Sequence, residues 1–261
     1  MPTAWGDCPP LYNGASSIIN GTTQDKLDRI AIREVCEGWP THRDAQEWPR
    51  FRNLFTEDGY VFTTWSGGCS IDDFIKVSKE GFKNGDRIMH ECCGFTCELK
   101  GDRAVGKLKT VDMPRCAGGL GQPKPSADPT PAHHPAVQAS WRRQAGRSRG
   151  GRRVSEPVHI PSGERPEGDW KCAYYKVFYE KDKMIPVDPR KVPWLDDDKL
   201  ESMPYGYRYL GYCQAQLGHR VLKDLPEAKG DESDRLYLAH IAWLEGKGRG
   251  ELDGLLKIER D

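Results

Sequence analysis

Apolar residues recur every three or four positions soon after the N-terminus, and this spacing predicts an amphipathic helix over residues 24–39. Pro40 should end that helix, because proline offers no backbone N–H to the next helical turn. The apolar stripe consists of Leu27, Ile30, Ala31, Val35 and Trp39. The first ordered element is therefore expected to bury one face.

A second, short helix should follow directly. Asp44 lies three residues before Glu47, and this spacing resembles a capping box with Asp44 at the helix N-terminus. A plain N-cap is therefore one interpretation of Asp44, and a working carboxylate is the other. The buried stripe of this helix is expected to contain Trp48, Phe51, Leu54 and Phe55.

Strand patterns surround one further helix. Residues 59–68 are β-branched and aromatic and end in glycines, which indicates a strand and a turn. Ser70 and Asp73 then form another capping-box pattern, which predicts a helix over residues 71–82. Residues 87–99 and 103–113 both have strand character, and the short glycine-containing joint between them favours a hairpin.

The last part of the chain mixes one strand with helices. Residues 170–179 are aromatic enough for a strand that is covered on both faces. Residues 185–204 are punctuated by prolines and should run extended over the surface. Helical spacing returns in residues 205–222 and 231–245, which predicts two closing helices.

Composition changes abruptly at residue 114. Residues 114–168 contain nine Pro, eight Gly and eight Arg, and they lack Phe and Tyr, which is typical of disorder. Within them, residues 141–153 resemble an arginine- and glycine-rich arm for an anionic partner. The alternatives are a solvated low-complexity insertion or a product of an unspliced or shifted reading frame, and we favour these because no nucleic-acid module accompanies the segment.

These patterns predict the organisation of the whole chain. Residues 1–22 form a flexible arm, and residues 23–184 form one domain that residues 114–168 interrupt. Residues 185–204 are a connector, and residues 205–261 are a helical extension. The succession of helices and antiparallel strands predicts an α+β fold in which a curved sheet wraps around the N-terminal helices.

Charge and hydropathy limit the function classes. The 261 residues carry 39 basic and 39 acidic side chains, so we expect neither nucleic-acid nor membrane binding through an overall field. No apolar run is long enough to span a membrane and no signal peptide is visible, so we expect a cytoplasmic protein. Phosphate-binding loops, dinucleotide fingerprints and the usual hydrolase motifs are missing, so we expect no cofactor.

One short stretch concentrates candidate chemistry. Residues 85–98 hold His90 together with Cys92, Cys93 and Cys97. Strand alternation places His90 and Cys92 on one face and the other two thiols on the opposite face, so a tetrahedral zinc site is disfavoured and a disulfide between adjacent cysteines would be strained. We therefore expect no metal. A working histidine is favoured over a zinc site, and the other interpretation of His90 is a half-buried strand histidine whose hydrogen bonds are satisfied.

Two segments carry a family resemblance. RDAQEWPRFRNLF, residues 43–55, and RIMHECCG, residues 87–94, resemble the SnoaL-like branch of the NTF2-like superfamily, and within it the scytalone dehydratases. The resemblance covers residues 23–113 and the strand from residue 170. It implies that Asp44 and His90 point into the cone as a catalytic acid–base pair.

The sequence also departs from that family. The dehydratases have tyrosines where this chain has Arg43 and Phe62, and they carry a second histidine near positions 113–115, where this chain has none. Further candidates for the pocket wall or for substrate contacts are Tyr60, Phe62, Trp39, Trp65, Lys109, Asp112 and Tyr175.

The resemblance implies a cofactor-independent dehydratase, isomerase or cyclase of secondary metabolism. Its substrate would be a polyketide-like or aromatic small molecule, and a dimeric or trimeric assembly is compatible with such a protein. The alternative is a non-catalytic NTF2-like module for binding or assembly.

Overall fold

The computed structural model describes residues 19–64, 66–84, 88–112, 116–117, 138–139, 169–184, 195–216, 218–227 and 230–258. Most of the predicted arm, most of the low-complexity segment and half of the predicted connector lie outside these residues. Within the described part, the elements follow the α+β order that the sequence predicts.

The helices are α1 Thr23–Asp44, α2 Trp48–Asn53, α3 Ile71–Lys83, α4 Asp197–Glu201, α5 Arg208–Gln216, α6 Asp231–Leu244 and α7 Arg249–Leu256, with a 3-10 turn at Tyr205–Tyr207. The strands are β1 Phe55–Thr63, β2 Gly67–Ser70, β3 His90–Lys100, β4 Arg103–Asp112, β5 Cys116–Ala117, β6 Gln138–Ala139 and β7 Cys172–Lys176.

Helix α1 is longer than the sequence predicts. Thr22 caps it in a reciprocal box with Asp25, and the helix then continues through Pro40. The expected end at Pro40 is wrong, because proline removes one backbone donor but the next turn can still form when tertiary contacts favour it. Pro40 is itself buried, and the buried face extends beyond it to Arg43.

Two sheets enclose this helix. β1 is the central strand of one sheet, pairing antiparallel with β2 and parallel with β7, while β3 and β4 form the predicted hairpin. Gly101 makes the hairpin turn at φ 63°, a backbone conformation that glycine adopts without steric cost. Helix α1 packs against both β3 and β4. The result is an α+β fold in which helices pack against a mixed three-stranded sheet and a separate antiparallel hairpin.

Strand β3 contains a bulge that the sequence analysis missed. Cys92 pairs with Thr110 and Gly94 with Lys109, so Cys93 is an extra residue with no partner of its own in the β4 register. The prediction that Cys97 lies on the face opposite His90 is therefore wrong. After the bulge Cys97 is buried in the same core as α1.

The core is divided by the sheets. The inner cluster joins α1 and α3 to the inward residues of the strands, with Trp39 stacked on Tyr175 at a ring distance of 3.5 Å. The outer cluster packs α6 and α7 against Val105 of β4 and Tyr174 of β7. Strand β7 is buried along its whole length, as its aromatic composition predicts. Every described helix is too short or too polar to cross a membrane.

The C-terminal part differs in detail from the sequence predictions. Helix α5 ends at Gln216 rather than near residue 222, and α4 lies inside the stretch predicted as an extended connector. Helix α7 was not predicted, because its two glycines weaken helix propensity. Tertiary packing of Leu252 and Leu256 compensates for that weakness.

Candidate active site

The last residue of α1 meets the first residue of β3 through a carboxylate and an imidazole. Asp44 Oδ1 lies 2.8 Å from His90 Nδ1, and Asp44 Oδ2 accepts a hydrogen bond from the His90 backbone N–H, also at 2.8 Å. The side chains of His90 and Asp44 are 4% and 19% exposed. Since an ionised carboxylate can only accept, Nδ1 carries a proton and Nε2 is the basic nitrogen of the neutral ring.

The helix-capping interpretation of Asp44 is wrong. Asp44 ends α1, and Glu47 is the residue that precedes α2. Glu47 makes no capping hydrogen bond to α2, which instead begins with a proline in its first turn. Both oxygens of Asp44 are used on His90, so the carboxylate orients the ring rather than the helix.

Arg43 is the main feature of the site that the sequence analysis did not select as a functional residue. Its side chain is 7% exposed, and its Nη1 lies 3.8 Å from Asp44 Oδ1. The guanidinium carbon stands 5.6 Å from the ring centre of Phe74 and 5.8 Å from that of Phe82. The available signal was its position four residues after Trp39, which places both on the buried face of α1.

A second histidine–carboxylate pair lies nearby and differs in its setting. His42 Nδ1 lies 2.7 Å from Glu47 Oε2, with side-chain exposures of 24% and 38%. The hydrogen bond from His42 lowers the pKa of Glu47. This partly exposed pair provides a natural control for the buried one.

Two predicted pocket residues lie on the inner side of the sheet. Trp39 and Tyr175 are buried and stack with an interplanar angle of 12°. Trp39 also contacts Phe51, Phe55 and Phe74 edge-on or tilted, with ring distances from 4.9 to 5.9 Å. The indole therefore belongs to the aromatic core, and its Nε1 has no hydrogen-bond partner among the described residues.

Other predicted residues lie away from the dyad. Tyr60 packs in the outer cluster and Phe62 lies under Lys176 at 4.5 Å, whereas Val61 between them faces the inner cluster. This places Tyr60 and Phe62 on the outer face of β1. Lys109 is 47% exposed and forms an ion pair with Glu180.

Asp112 lies directly across from His90 in the hairpin register. Trp65 lies outside the described residues.

The cysteine beside the dyad is not activated. Partial burial raises the pKa of Cys92 to about 11, so its thiol stays protonated near neutral pH. No group of three or more His, Cys, Asp or Glu side chains in the described ranges is placed to hold a metal ion.

A family comparison covers the segment that contains the dyad. The model of the SnoaL-like domain matches residues 24–154, which span α1, the dyad and the β3–β4 hairpin. The chain belongs to the SnoaL-like domain family. The SnoaL-like match ends before β7 and the C-terminal helices, so those elements extend the part that the family model covers.

Two similar proteins match a larger share of this SnoaL-like chain than the family model does. Pea pathogenicity protein 2 of Fusarium vanettenii is 36% identical over 238 residues, which cover 87% of this chain and 90% of that protein. The uncharacterized protein AN9274 of Emericella nidulans is 37% identical over 239 residues, with coverages of 87% and 90%. A solved structure of a hexachlorocyclohexane dehydrochlorinase aligns with a TM-score of 0.41 at 11% identity, covering 67% of this chain and 98% of that one. The two sequence relatives carry names that state no reaction.

Proposed function

We propose that this SnoaL-like protein is a cofactor-independent acid–base enzyme, a dehydratase, isomerase or cyclase, that acts on a polyketide-like or aromatic carbonyl compound. The observation that carries the proposal is the double engagement of His90 by Asp44, at 2.8 Å for each contact. A carboxylate that fixes both the ring and its backbone leaves Nε2 as the nitrogen for proton transfer.

The reaction begins with removal of a proton from carbon next to a carbonyl. His90 Nε2 takes the proton, the C–H electron pair forms a C=C bond, and the carbonyl electrons move to oxygen to give an enolate. Asp44 stabilises the imidazolium that results, because a negative charge 2.8 Å from Nδ1 offsets the new positive charge. His90 then returns the proton to a departing hydroxyl, to another carbon or to the product of ring closure.

A second candidate is a non-catalytic NTF2-like binding or assembly module. The stacking of Trp39 on Tyr175 at 3.5 Å favours it, because these rings fill space between α1 and β7 that a ligand would otherwise use. The two candidates differ in one measurable property, which is whether His90 accelerates proton exchange at carbon.

The test uses 2-tetralone, a ketone with acidic C–H bonds on the carbon between its carbonyl and its aromatic ring, in deuterated buffer. Proton NMR follows exchange at the carbon between the carbonyl and the ring. His90→Gln should slow the protein-catalysed rate by about 100-fold or more, which is the usual contribution of a general base. His42→Ala removes the partly exposed histidine of the neighbouring pair and should leave the rate unchanged.

Equal exchange rates for the native protein and His90→Gln would contradict the enzyme proposal. That result would favour the binding or assembly module instead. Circular dichroism of each variant would confirm that the fold is retained.

A further inference from the structure

The guanidinium of Arg43 is a buried cation with unused hydrogen-bond donors. The whole Arg43 residue is 5% exposed, and its Nε and Nη1 atoms have no hydrogen-bond partner among the described residues. Burying a charged group without hydrogen bonds is unfavourable, so such a group is expected to have an additional binding partner. Phe74 and Phe82 offset only part of this cost through cation–π contact.

Asp44 does not satisfy these donors. Its Oδ1 accepts from His90 Nδ1 at 2.8 Å, and its Oδ2 accepts from the His90 backbone. Arg43 Nη1 stays at 3.8 Å from Oδ1, which is too long for a hydrogen bond. Arg43 is therefore held beside the dyad by charge while its donors remain available.

A second unused donor lies one helical turn away. Trp39 precedes Arg43 by four residues on the same buried face of α1, and its indole Nε1 also lacks a partner within the described part of the chain. Buried N–H groups normally find an acceptor. Of these two donor groups, Arg43 is the one that lies against the dyad, so an oxygen acceptor is missing at the guanidinium.

We propose that Arg43 receives the negatively charged oxygen of the substrate, as the group that stabilises the enolate formed by His90. This inference rests on the proposed function and narrows it to enolisable ketones whose carbonyl oxygen reaches the guanidinium. The proton passes from carbon to His90 Nε2, the electron pair passes to the carbonyl oxygen, and Arg43 lies where the resulting charge is formed. A fixed cation in a water-poor site stabilises such an oxyanion without reorganisation.

The competing interpretation is purely structural. Arg43 would then serve only to hold α3 against α1 through Phe74 and Phe82. Arg43→Met keeps an unbranched side chain over these rings while it removes the charge and the donors. This variant separates packing from anion binding.

The probe is 2-naphthol, a stable aromatic counterpart of the enol of 2-tetralone. Its absorbance and fluorescence report whether the bound molecule is the neutral phenol or the naphtholate. In the native protein, Arg43 should lower the ionisation midpoint of bound 2-naphthol by about 1 to 3 pH units, as a nearby opposite charge does. Arg43→Met should abolish the shift, and Arg43→Lys should keep part of it.

A control variant makes the result specific. Arg50→Met removes an arginine that is 70% exposed and paired with Glu47, so it should leave the naphthol shift intact. In the 2-tetralone assay, Arg43→Met should slow exchange by about tenfold or more.

The outcomes separate this inference from the proposed function. An equal naphthol shift in the native protein and in Arg43→Met overturns the role of Arg43, and so does failure of the native protein to bind or ionise 2-naphthol. Neither result bears on the role of His90 as the base, which depends on the exchange assay alone. Conversely, an Arg43-dependent shift together with exchange that is indifferent to His90 supports the anion site and removes the base.

Discussion

Asp44 uses its two carboxylate oxygens on a single neighbour, and this double use explains why its chemical identity matters. One oxygen accepts from the ring of His90 and the other from the backbone of His90. The residue thus fixes the tautomer of the imidazole and the start of β3 at the same time. A side chain with only one acceptor atom cannot do both.

Asp44→Asn tests this double use. Asparagine has one acceptor oxygen and one amide donor, so one of the two hydrogen bonds is lost while His90 keeps its proton on Nδ1, and both can form only after the proton moves to Nε2. The free energy of unfolding should fall by about 1–3 kcal/mol, as for a buried donor left unsatisfied. Urea unfolding measures the change, and nitrogen NMR of the ring should show a shift of the His90 tautomer.

Glu37→Gln is the matched control for the loss of a carboxylate. Glu37 also lies on α1 in an ion pair, with Arg33 at 2.7 Å, but the side chains of Arg33 and Glu37 are 59% and 36% exposed. Exposed pairs contribute about 0–1 kcal/mol. If Glu37→Gln cost as much as Asp44→Asn, the special role of Asp44 would be lost.

The residues of the dyad were predictable, but their surroundings were not. Asp44 and His90 were selected because two short segments resemble a family, and the structure places them in contact. From the sequence, Arg43 was noted only because the scytalone dehydratases have a tyrosine at its position. Its burial depends on α1 continuing past Pro40, which local preference argues against.

At the scale of elements, the close approach of α1 to β4 sets where the dyad can form. Gly106 of β4 lies opposite Cys97 of β3, and a Cβ atom on Gly106 would stand 2.9 Å from the sulfur of Cys36. The helix can rest this near to the strand only because position 106 has no side chain. Helix α1 then carries Asp44 to the end of β3.

Gly106→Ala should therefore push the helix and the strand apart. The expected loss in the free energy of unfolding is about 1–3 kcal/mol, as for overpacking in a core. Cys36→Ala added to Gly106→Ala should restore much of it by removing the sulfur. Denaturant unfolding of the single and double variants measures the coupling between the two sites.

Gly94→Ala provides the comparison within the same hairpin. An added Cβ at Gly94 meets no atom within 4 Å, so any loss there reflects the strand backbone alone. A penalty at Gly106 no larger than at Gly94, or one that Cys36→Ala fails to relieve, would argue against the contact.

Element types followed local patterns more closely than element ends did. The Ser70 cap with Asp73 and the glycine turn of the β3–β4 hairpin were both predicted, because each depends on residues that are neighbours in sequence. The bulge at Cys93 was missed because only pairing with β4 creates it. The same holds for α7, whose stability comes from the outer cluster.

For the whole molecule, the C-terminal helices act as the second half of the core. Val105 and Tyr174 face α6 and α7, while their sheet neighbours face α1. Arg103 stabilises the packing of α6 on this face, because it donates hydrogen bonds to the backbone oxygens of Trp243 and Lys247, at 2.9 and 2.7 Å. Each strand face is therefore covered by a different end of the chain.

A buried carboxyl makes the stability of the fold depend on pH. Burial raises the pKa of Asp182 from 3.8 to about 7, although Asp182 accepts a hydrogen bond from the Leu210 backbone at the start of α5. Between these two pH values the folded chain retains a proton that the unfolded chain releases. The free energy of unfolding should therefore fall as the pH rises through that window.

Asp182→Asn should flatten this dependence, because the carboxamide does not titrate. Urea unfolding at about pH 4.5 and about pH 7.5 should show a smaller loss in the variant than in the native protein. Asp196→Asn is the control, since Asp196 also caps a helix but has a pKa lowered by its hydrogen bonds with Lys199. An identical pH dependence in the native protein and Asp182→Asn would refute the coupling.

The extra residue at Cys93 reverses the alternation of side chains between the two faces of β3. Before the bulge, the even-numbered residues share the face of His90. After the bulge, the odd-numbered residues lie on that face and pack into the core. An alignment of this strand therefore needs its one-residue gap at position 93, or every side chain downstream is assigned to the wrong side. Anyone who grafts the histidine onto another scaffold must carry residues 90–94 as an indivisible unit.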